Sequence, residues 1–450
     1  MMRLQRIAAL MMAGSCGGST PLAQTPTTLA ITDVTVIDVA TGMPRPNLNV
    51  LVSGNRITAV GPATRVRVPR GATNVNGSGK YLMPGMWDVH SHAVMFGPAS
   101  LKLYLAQGVT GIRDMGAERF SEAKAWRDSI AAGLLLGPRM RIAAPIVENA
   151  RWLAVVKRMG EAAGTPWTLY ERFGPTSAQE AVRWVDSVAA LGPDHIKVRN
   201  WPAAEIGRAL VARARERGIP VVAHANEPFP RTGVTTFEHS VWPPLGESRA
   251  VRESLWRQFA VSRTAFVPTL VTWVTRIDSP DVLIARLNAG GVPGLRYVPE
   301  STREKWRHQL EEFKQERPMD WTTIYRNELR NVAEMRRAGV VLLPGTDVGA
   351  PLIVPGFSLH DELTHLVNTA GLTTRQALEA ATMGAARVVG MADSVGTIDT
   401  GKLADLVLLD ANPLVDIRNT RRIRAVIANG RLLDRRSIDA LLADVETASR

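Results

Sequence analysis

Between about residues 83 and 385, short β-branched runs alternate with helical stretches, and this alternation limits the fold more than any other feature. Runs near 86–92, 109–114, 140–144, 195–199, 220–225, 235–240, 265–271 and 340–347 read as strands, and helices over 176–191 and 203–217 fit as crossovers. Strands separated by helices pair in parallel, because a return to the same edge needs a long crossover. Eight such strands close a ring, so the spacing predicts an α/β chain with a TIM (β/α)8 barrel over 83–385. A chain of 450 residues holds that barrel and one smaller domain.

The smaller domain is expected from both chain ends. Residues 29–37, 48–52 and 56–60 alternate apolar and polar, with Ser53-Gly54-Asn55 as a hairpin turn. Residues 404–409 and 423–427 repeat the pattern, and Asn429-Gly430 is a turn. A composite β-sandwich from 28–82 plus 386–435 follows. Between the last two barrel strands the connection is far longer than a barrel turn: Pro/Gly-rich 279–299, then a charged helical stretch over 301–338. Long insertions at barrel loops shape access to a site, and 273–318 reads as a lid.

The net charge of +12 rests on arginine, since only eight of the 54 basic residues are lysines. These residues are scattered, with no basic run interleaved with aromatics, which argues against nucleic acid as a partner. At the N-terminus, Arg3 and Arg6 precede the apolar run 7–13, the pattern of an export signal to a periplasm. Two endings remain open: cleavage near Ala23, or a lipoprotein signal that makes Cys16 the site of a lipid anchor. Cys16 is the sole cysteine, so no intrachain disulfide and no cysteine ligand is available. The expected partner is a small-molecule substrate, and the expected assembly a homo-oligomer.

Chemistry concentrates at the downstream strand ends, where TIM barrels carry their catalytic groups. His90 and His92 stand two apart on a strand and share a face, a preformed chelate. His224, His239 and Asp347 each end a β-branched run. A single histidine there is more often a hydrogen-bonded core residue, but five such groups at one end point to a metal site. His195, His308, His360 and His365 read as structural. Lys197 lies inside a β-branched strand, where an unpaired ammonium is costly; the alternative is a rim residue that reaches solvent.

These motifs resemble the amidohydrolase superfamily. The stretch Met83-Pro84-Gly85-Met86-Trp87-Asp88-Val89-His90-Ser91-His92 is similar to its first-strand signature. Gly108-Val109-Thr110-Gly111-Ile112-Arg113-Asp114 resembles its second strand and Gly345-Thr346-Asp347 its eighth. The tail from Gly396 to Val407 resembles the segment that re-enters the β domain, so the likeness spans roughly 30–430. Within the superfamily it is nearest the imidazolonepropionase and prolidase-like dipeptidase branch. The resemblance implies two divalent metals, zinc first, with manganese or cobalt open. One metal takes His90, His92, Lys197 and Asp347, the other Lys197, His224 and His239, with Lys197 carboxylated as the bridge. It implies a metal-activated hydroxide that attacks an amide carbonyl in a dipeptide or N-acyl amino acid, with Asp347 as proton carrier. The sequence departs from the prolidase-like pattern at the third strand, where 143–149 lacks the histidine of a Gly-Gly-His. Asn149, Tyr170 or Arg199 then takes that substrate-binding role, or the metal polarises the carbonyl alone. A mononuclear cyclic amidohydrolase or deaminase, and a non-catalytic binding protein, are the rival readings.

Overall fold

The computed structural model describes residues 28–116, 119–162, 171–226, 229, 232–239, 247–315 and 320–450. The N-terminal segment with Cys16, and Tyr170, lie outside the described residues. Among the described residues no helix is long and apolar enough to cross a membrane. The chain opens on β1 (Thr28–Asp38), β2 (Met43–Ser53), β3 (Arg56–Pro62), β4 (Thr73–Asn76) and β5 (Tyr81–Pro84). The central stretch supplies β6 (Met86–Ser91), β7 (Val109–Asp114), β8 (Arg139–Ile142), β9 (Ile146–Val147) and β10 (Arg172–Phe173). It continues through β11 (Ile196–Val198), β12 (Val221–His224), β13 (Thr236–Glu238) and β14 (Ala265–Val267). The last strands are β15 (Leu406–Leu409), β16 (Ile423–Ala428) and β17 (Arg431–Leu433).

Both chain ends meet in one eight-stranded sheet, ordered β17-β16-β15-β5-β1-β2-β3 with β4 on β1. β5 is the seam: it runs parallel to β1 and antiparallel to β15, with Leu82 opposite Leu408. The sheet wraps, because its edge strand β3 returns to the other side. Ile57 N–H donates to Lys402 O, and Gly401 N–H donates to Ile57 O, both at 2.8 Å. The wrapped sheet encloses Ile31, Val50, Leu82, Leu406 and Ile427. Alternate residues of β15, Val407 and Leu409, face the main core instead, so that strand is buried on both faces. Hydrogen bonding makes this one sheet, where two separate layers were expected.

The central strands are parallel, and the expected runs each hold strand pairing, while β9 and β10 fall outside them. β6-β7-β8 form one sheet and β10-β9-β11-β12-β13-β14 another. Ala143 pairs with His195 between the two, Phe266 pairs with Leu342, and Val348 pairs with Ser91. The pairing thus passes through eight segments and returns to β6, a TIM-barrel-like arrangement. The eighth segment is not a continuous strand, because Pro344 has no N–H to donate and Gly345 is drawn against β6. A Cβ at Gly345 would lie 2.6 Å from the Cβ of His90, so only glycine lets the backbones approach this closely.

One expectation needs correction, and the long connection gains detail. The seventh strand, expected over 265–271, ends at Val267; Pro268 follows, Thr269 is left-handed (φ 44), and a helix starts at Leu270. The Pro/Gly-rich stretch 279–299 contains a helix. Ser279 accepts the Val282 N–H with Pro280 in the first turn, an N-cap that starts the helix Pro280–Asn288. The charged stretch 301–338 divides into the helices Glu300–Gln315 and Trp321–Arg337, the second capped by Asp320. This long connection carries its own apolar cluster, in which Leu283, Leu287, Trp306 and Leu310 pack with Leu352 and Val354.

Beneath the helix Leu270–Ile277, Glu362 is fully buried and accepts the Val271 N–H at 2.8 Å, while Oε1 meets no partner among the described residues. Burial pushes its carboxyl up to about 8. The unfolded chain releases this proton near pH 4.3, roughly the model-peptide value. Protonation therefore contributes stability that is complete below that pH and is lost as pH rises to about 8. Glu362→Gln stays neutral throughout. Its melting temperature is expected to rise relative to wild type from pH 5 to pH 8 and then level; a difference flat with pH contradicts this.

Candidate active site

Three side chains converge above the strand ends. His90 is the last residue but one of β6, just where the register against β7 shifts between Asp88 and Ser91, a bulge that re-aims side chains at the ring's mouth. His90 Nε2 lies 3.3 Å and His92 Nε2 3.4 Å from the same oxygen, Oδ1 of Asp347. Ligand atoms of the three lie within 4.8 Å of one another, the spacing of a group that can hold a metal ion. Asp347 has φ 53, and its N–H donates to His90 O at 2.7 Å. A left-handed aspartate costs conformational energy, and the surrounding bonds hold it there.

The far nitrogens settle which way the rings face. His92 Nδ1 donates to Gly116 O at 2.8 Å, and a carbonyl can only accept, so Nε2 is the atom left to bind. His90 Nδ1 donates to Glu238 Oε2 at 2.8 Å. Glu238 is fully buried and its other oxygen accepts from Arg113 Nη2 at 2.7 Å. Arg113 also donates to Val89 O and Thr236 Oγ1, so one buried guanidinium ties β6, β7 and β13 together. Burial pushes the Glu238 carboxyl up, but Arg113 and His90 outweigh it and hold it well below the usual carboxylate range. Such a carboxylate behind a histidine raises its basicity as a ligand.

Of the other expected residues, Lys197, Arg199, His224 and His239 lie on the same cleft, of about 380 Å³, rather than in that tight group. His239 stands 4.7 Å from His90 and 4.8 Å from His224 between ring centres, and its Nδ1 meets Thr269 Oγ1 at 2.9 Å. Burial pushes His239 down to about 3 and holds His224 well below its ordinary value, so both rings are neutral near pH 7. Lys197 is 2 % exposed, and its Nζ meets no hydrogen-bond partner among the described residues. Burial pushes its ammonium down to about 8, against the pull of Glu238 and Asp347. Burial raises Asp347, yet His239, His90 and His92 hold it well below the carboxylate range.

Arg199 lines the cleft and lies over the Trp152 ring at 4.7 Å. Asn149 does not line it. Its Oδ1 accepts the N–H groups of Arg151 and Trp152, capping the helix Ala150–Ala162, and its Nδ2 donates to Trp201 O. Its polar atoms are committed to the backbone, which removes it from the substrate-binding candidates. Arg172, unforeseen from sequence, lines the cleft and pairs with buried Glu148, which also binds Asn200. Arg276, Gln309 and Phe313 of the long connection complete the far wall. His360 bonds Thr420 and Gln107 away from the cleft, and His308 pairs with Glu312 at the surface.

Residues 271–433 match the family described as the amidohydrolase family. The chain is 24% identical over 414 residues to an adenine deaminase of Rubrobacter xylanophilus, covering 90% of this chain and 58% of that protein. It thus spans well under two thirds of that relative's length. It is 25% identical over 402 residues to an imidazolonepropionase of Pseudomonas paraeruginosa, covering 79% of this chain and 86% of the other. Among solved structures it is similar to bottromycin amidohydrolase, with TM-score 0.71 and 25% identity over 95% of this chain and 91% of that one.

The buried pair behind His90 makes a stability prediction. Arg113→Met leaves Glu238 ionisable, buried and without its guanidinium, and breaking a buried pair on one side costs about 3–5 kcal/mol. Denaturant unfolding is expected to show that loss. A loss under about 1 kcal/mol, the size of a surface pair, contradicts it.

Proposed function

We propose, from the premise that this chain belongs to the amidohydrolase superfamily, that it is a metal-dependent hydrolase of an amide bond in a small molecule, a dipeptide or N-acyl amino acid. The central region is read as a (β/α)8 barrel over 83–385, the β domain as 28–82 plus 386–435, and 273–318 as a lid. One observation carries the functional reading. Two imidazole Nε2 atoms and a carboxylate oxygen converge, and a lysine amine without a hydrogen-bond partner among the described residues shares their cleft.

The donor set fits divalent metal, since neutral imidazoles and an ionised carboxylate are the ligands zinc takes. His90, His92 and Asp347 would hold one ion and His224 and His239 a second, with Lys197 between them. When bound, such ions bring the pKa of water towards neutrality and polarise a carbonyl. Lys197 supports the two-ion reading through its own chemistry. A neutral amine adds to carbon dioxide, forming the N–C bond and releasing a proton, and an amine pushed down to about 8 is partly neutral near pH 7. The resulting carbamate is anionic, which gives the buried position a reason.

Asp347 has the position and the charge to take a proton from the attacking water and deliver it to the leaving nitrogen. Arg172 and Arg199 line the cleft in front of buried Glu148, and guanidinium suits a substrate carboxylate by its paired N–H geometry. The third-strand histidine of the prolidase-like pattern has no replacement in Asn149. A second reading, hydrolysis of a cyclic amide or deamination at a single metal, is favoured by the names of the two curated relatives. The buried Lys197 amine favours the first.

Asp347→Asn keeps the size and one oxygen but cannot accept the proton. It is expected to retain at least one metal while kcat falls ~10²–10⁴-fold; turnover within a few-fold of wild type contradicts the proton-carrier role. Lys197→Ala is expected to lose most activity and one or both metals, with part of the rate restored by added short-chain carboxylic acids. Wild-type metal content and rate in that variant would make Lys197 a rim residue.

A further inference from the structure

His90 and His92 are held by unlike supports. His90 lies within β6 and leans on the buried Glu238 carboxylate, which Arg113 holds in turn. His92 stands just past the last residue of β6, is half-buried, and leans on a backbone carbonyl, that of Gly116. A carbonyl is only as well placed as the residue that carries it. Gly116 follows β7 with φ 114, a conformation that favours glycine. Its backbone lies flat on Ile146, since a Cβ there would come within 2.5 Å of Ile146 Cγ1.

Asp114, the last residue of β7, is almost wholly buried, and its Oδ1 accepts the Gly116 N–H at 3.1 Å. Gly116 is thus gripped at both of its polar groups, the N–H by Asp114 and the carbonyl by His92, while Ile146 closes on its Cα. The N–H groups of Ala93 and Val94, in the turn that follows His92, also face the Asp114 carboxyl. They complete no hydrogen bond to Oδ2, which has no partner among the described residues. A buried carboxyl in that state is costly. The backbone contacts it makes bear on one ring: they fix the residue that supports His92 Nδ1 and the turn that His92 begins.

We propose, resting on the metal-dependent reading above, that Asp114 is a positioning residue which holds Gly116 and the turn after His92 so that His92 Nε2 is aimed at the ion shared with His90 and Asp347. Asp114 itself touches neither ion nor substrate. Without it the Gly116 carbonyl loses its anchor, and the imidazole turns about its side-chain bonds instead of presenting one orientation.

The test is a double-mutant cycle on zinc affinity, read on the metal-stripped full chain by competition with a chromophoric chelator and without any substrate. The constant followed is that of the ion whose binding His92→Ala itself weakens. Asp114→Ala is expected to weaken it ~10–100-fold, the usual cost of removing a group behind a metal ligand. Asp114→Asn keeps the volume, which protects folding, but brings N–H donors to a group that faces N–H donors, and at least ~3-fold weaker binding is expected. In the His92→Ala background each substitution should cost less than ~2-fold, because the ring it positions is gone. The visible bands of cobalt-loaded Asp114→Asn should move from those of wild type towards those of His92→Ala. Zinc constants within ~2-fold of wild type in both single variants overturn the proposal and leave the metal-dependent reading intact. A loss equally large without His92 also overturns it, since the Asp114 charge or a general loosening of β7 would then carry the effect. A wild-type chain that takes up no zinc overturns the metal-dependent reading and this proposal with it.

Discussion

A single buried chain of contacts, Arg113 to Glu238 to His90, sets the geometry on which the site depends. Its three members come from β7, β13 and β6, so the contact crosses the ring interior rather than running along one strand pair. Each charge lost its water on folding, and only mutual pairing offsets that cost. Once paired, Glu238 fixes the proton of His90 on Nδ1 and leaves Nε2 to face Asp347. A second buried carboxylate does the same for the opposite side. Asp88 accepts the Thr346 N–H at 3.0 Å and thereby holds the eighth segment, with Asp347 one residue on, against β6. The site is thus a consequence of how the ring's interior satisfies its charges.

The histidines were legible in the sequence because two signals coincide at them. A β-branched run announces a strand, and a residue type that binds metal terminates it. The supports behind them carry no such signal. Arg113 and Glu238 are charged residues within strand-like runs, and nothing local says that one lies opposite the other. Arg172 and Arg276 are lost among 46 arginines. Asn149 was misplaced for a related reason, since a polar residue at a strand end reads the same whether it caps the next helix or faces a cleft. The eighth segment was legible by its apolar run and its Gly-Thr-Asp ending, but Pro344 and Gly345 limit it to isolated pairings.

The cleft has two characters, and they arise from different parts of the chain. Its floor of imidazole and carboxylate belongs to the ends of the parallel strands, the part where the likeness to amidohydrolases is strongest in motif. Its far wall comes from the long connection after β14, which folds around an apolar cluster of its own. The strand-end groups and the far wall of the cleft thus come from separate stretches of the sequence. Under the proposed function, a change in the connection would alter what enters without disturbing His90, His92 or Asp347, as is common where loops decorate a barrel scaffold.

Amide hydrolysis at a two-metal centre is tested most directly by stripping the protein with chelator and titrating zinc back in bicarbonate while following release of free amino acid from an N-acyl amino acid. The expected result is no turnover in the stripped protein and activity that reaches its plateau at two equivalents of zinc per chain. A plateau at one equivalent contradicts the two-metal centre, and turnover that survives stripping contradicts metal-dependent hydrolysis itself.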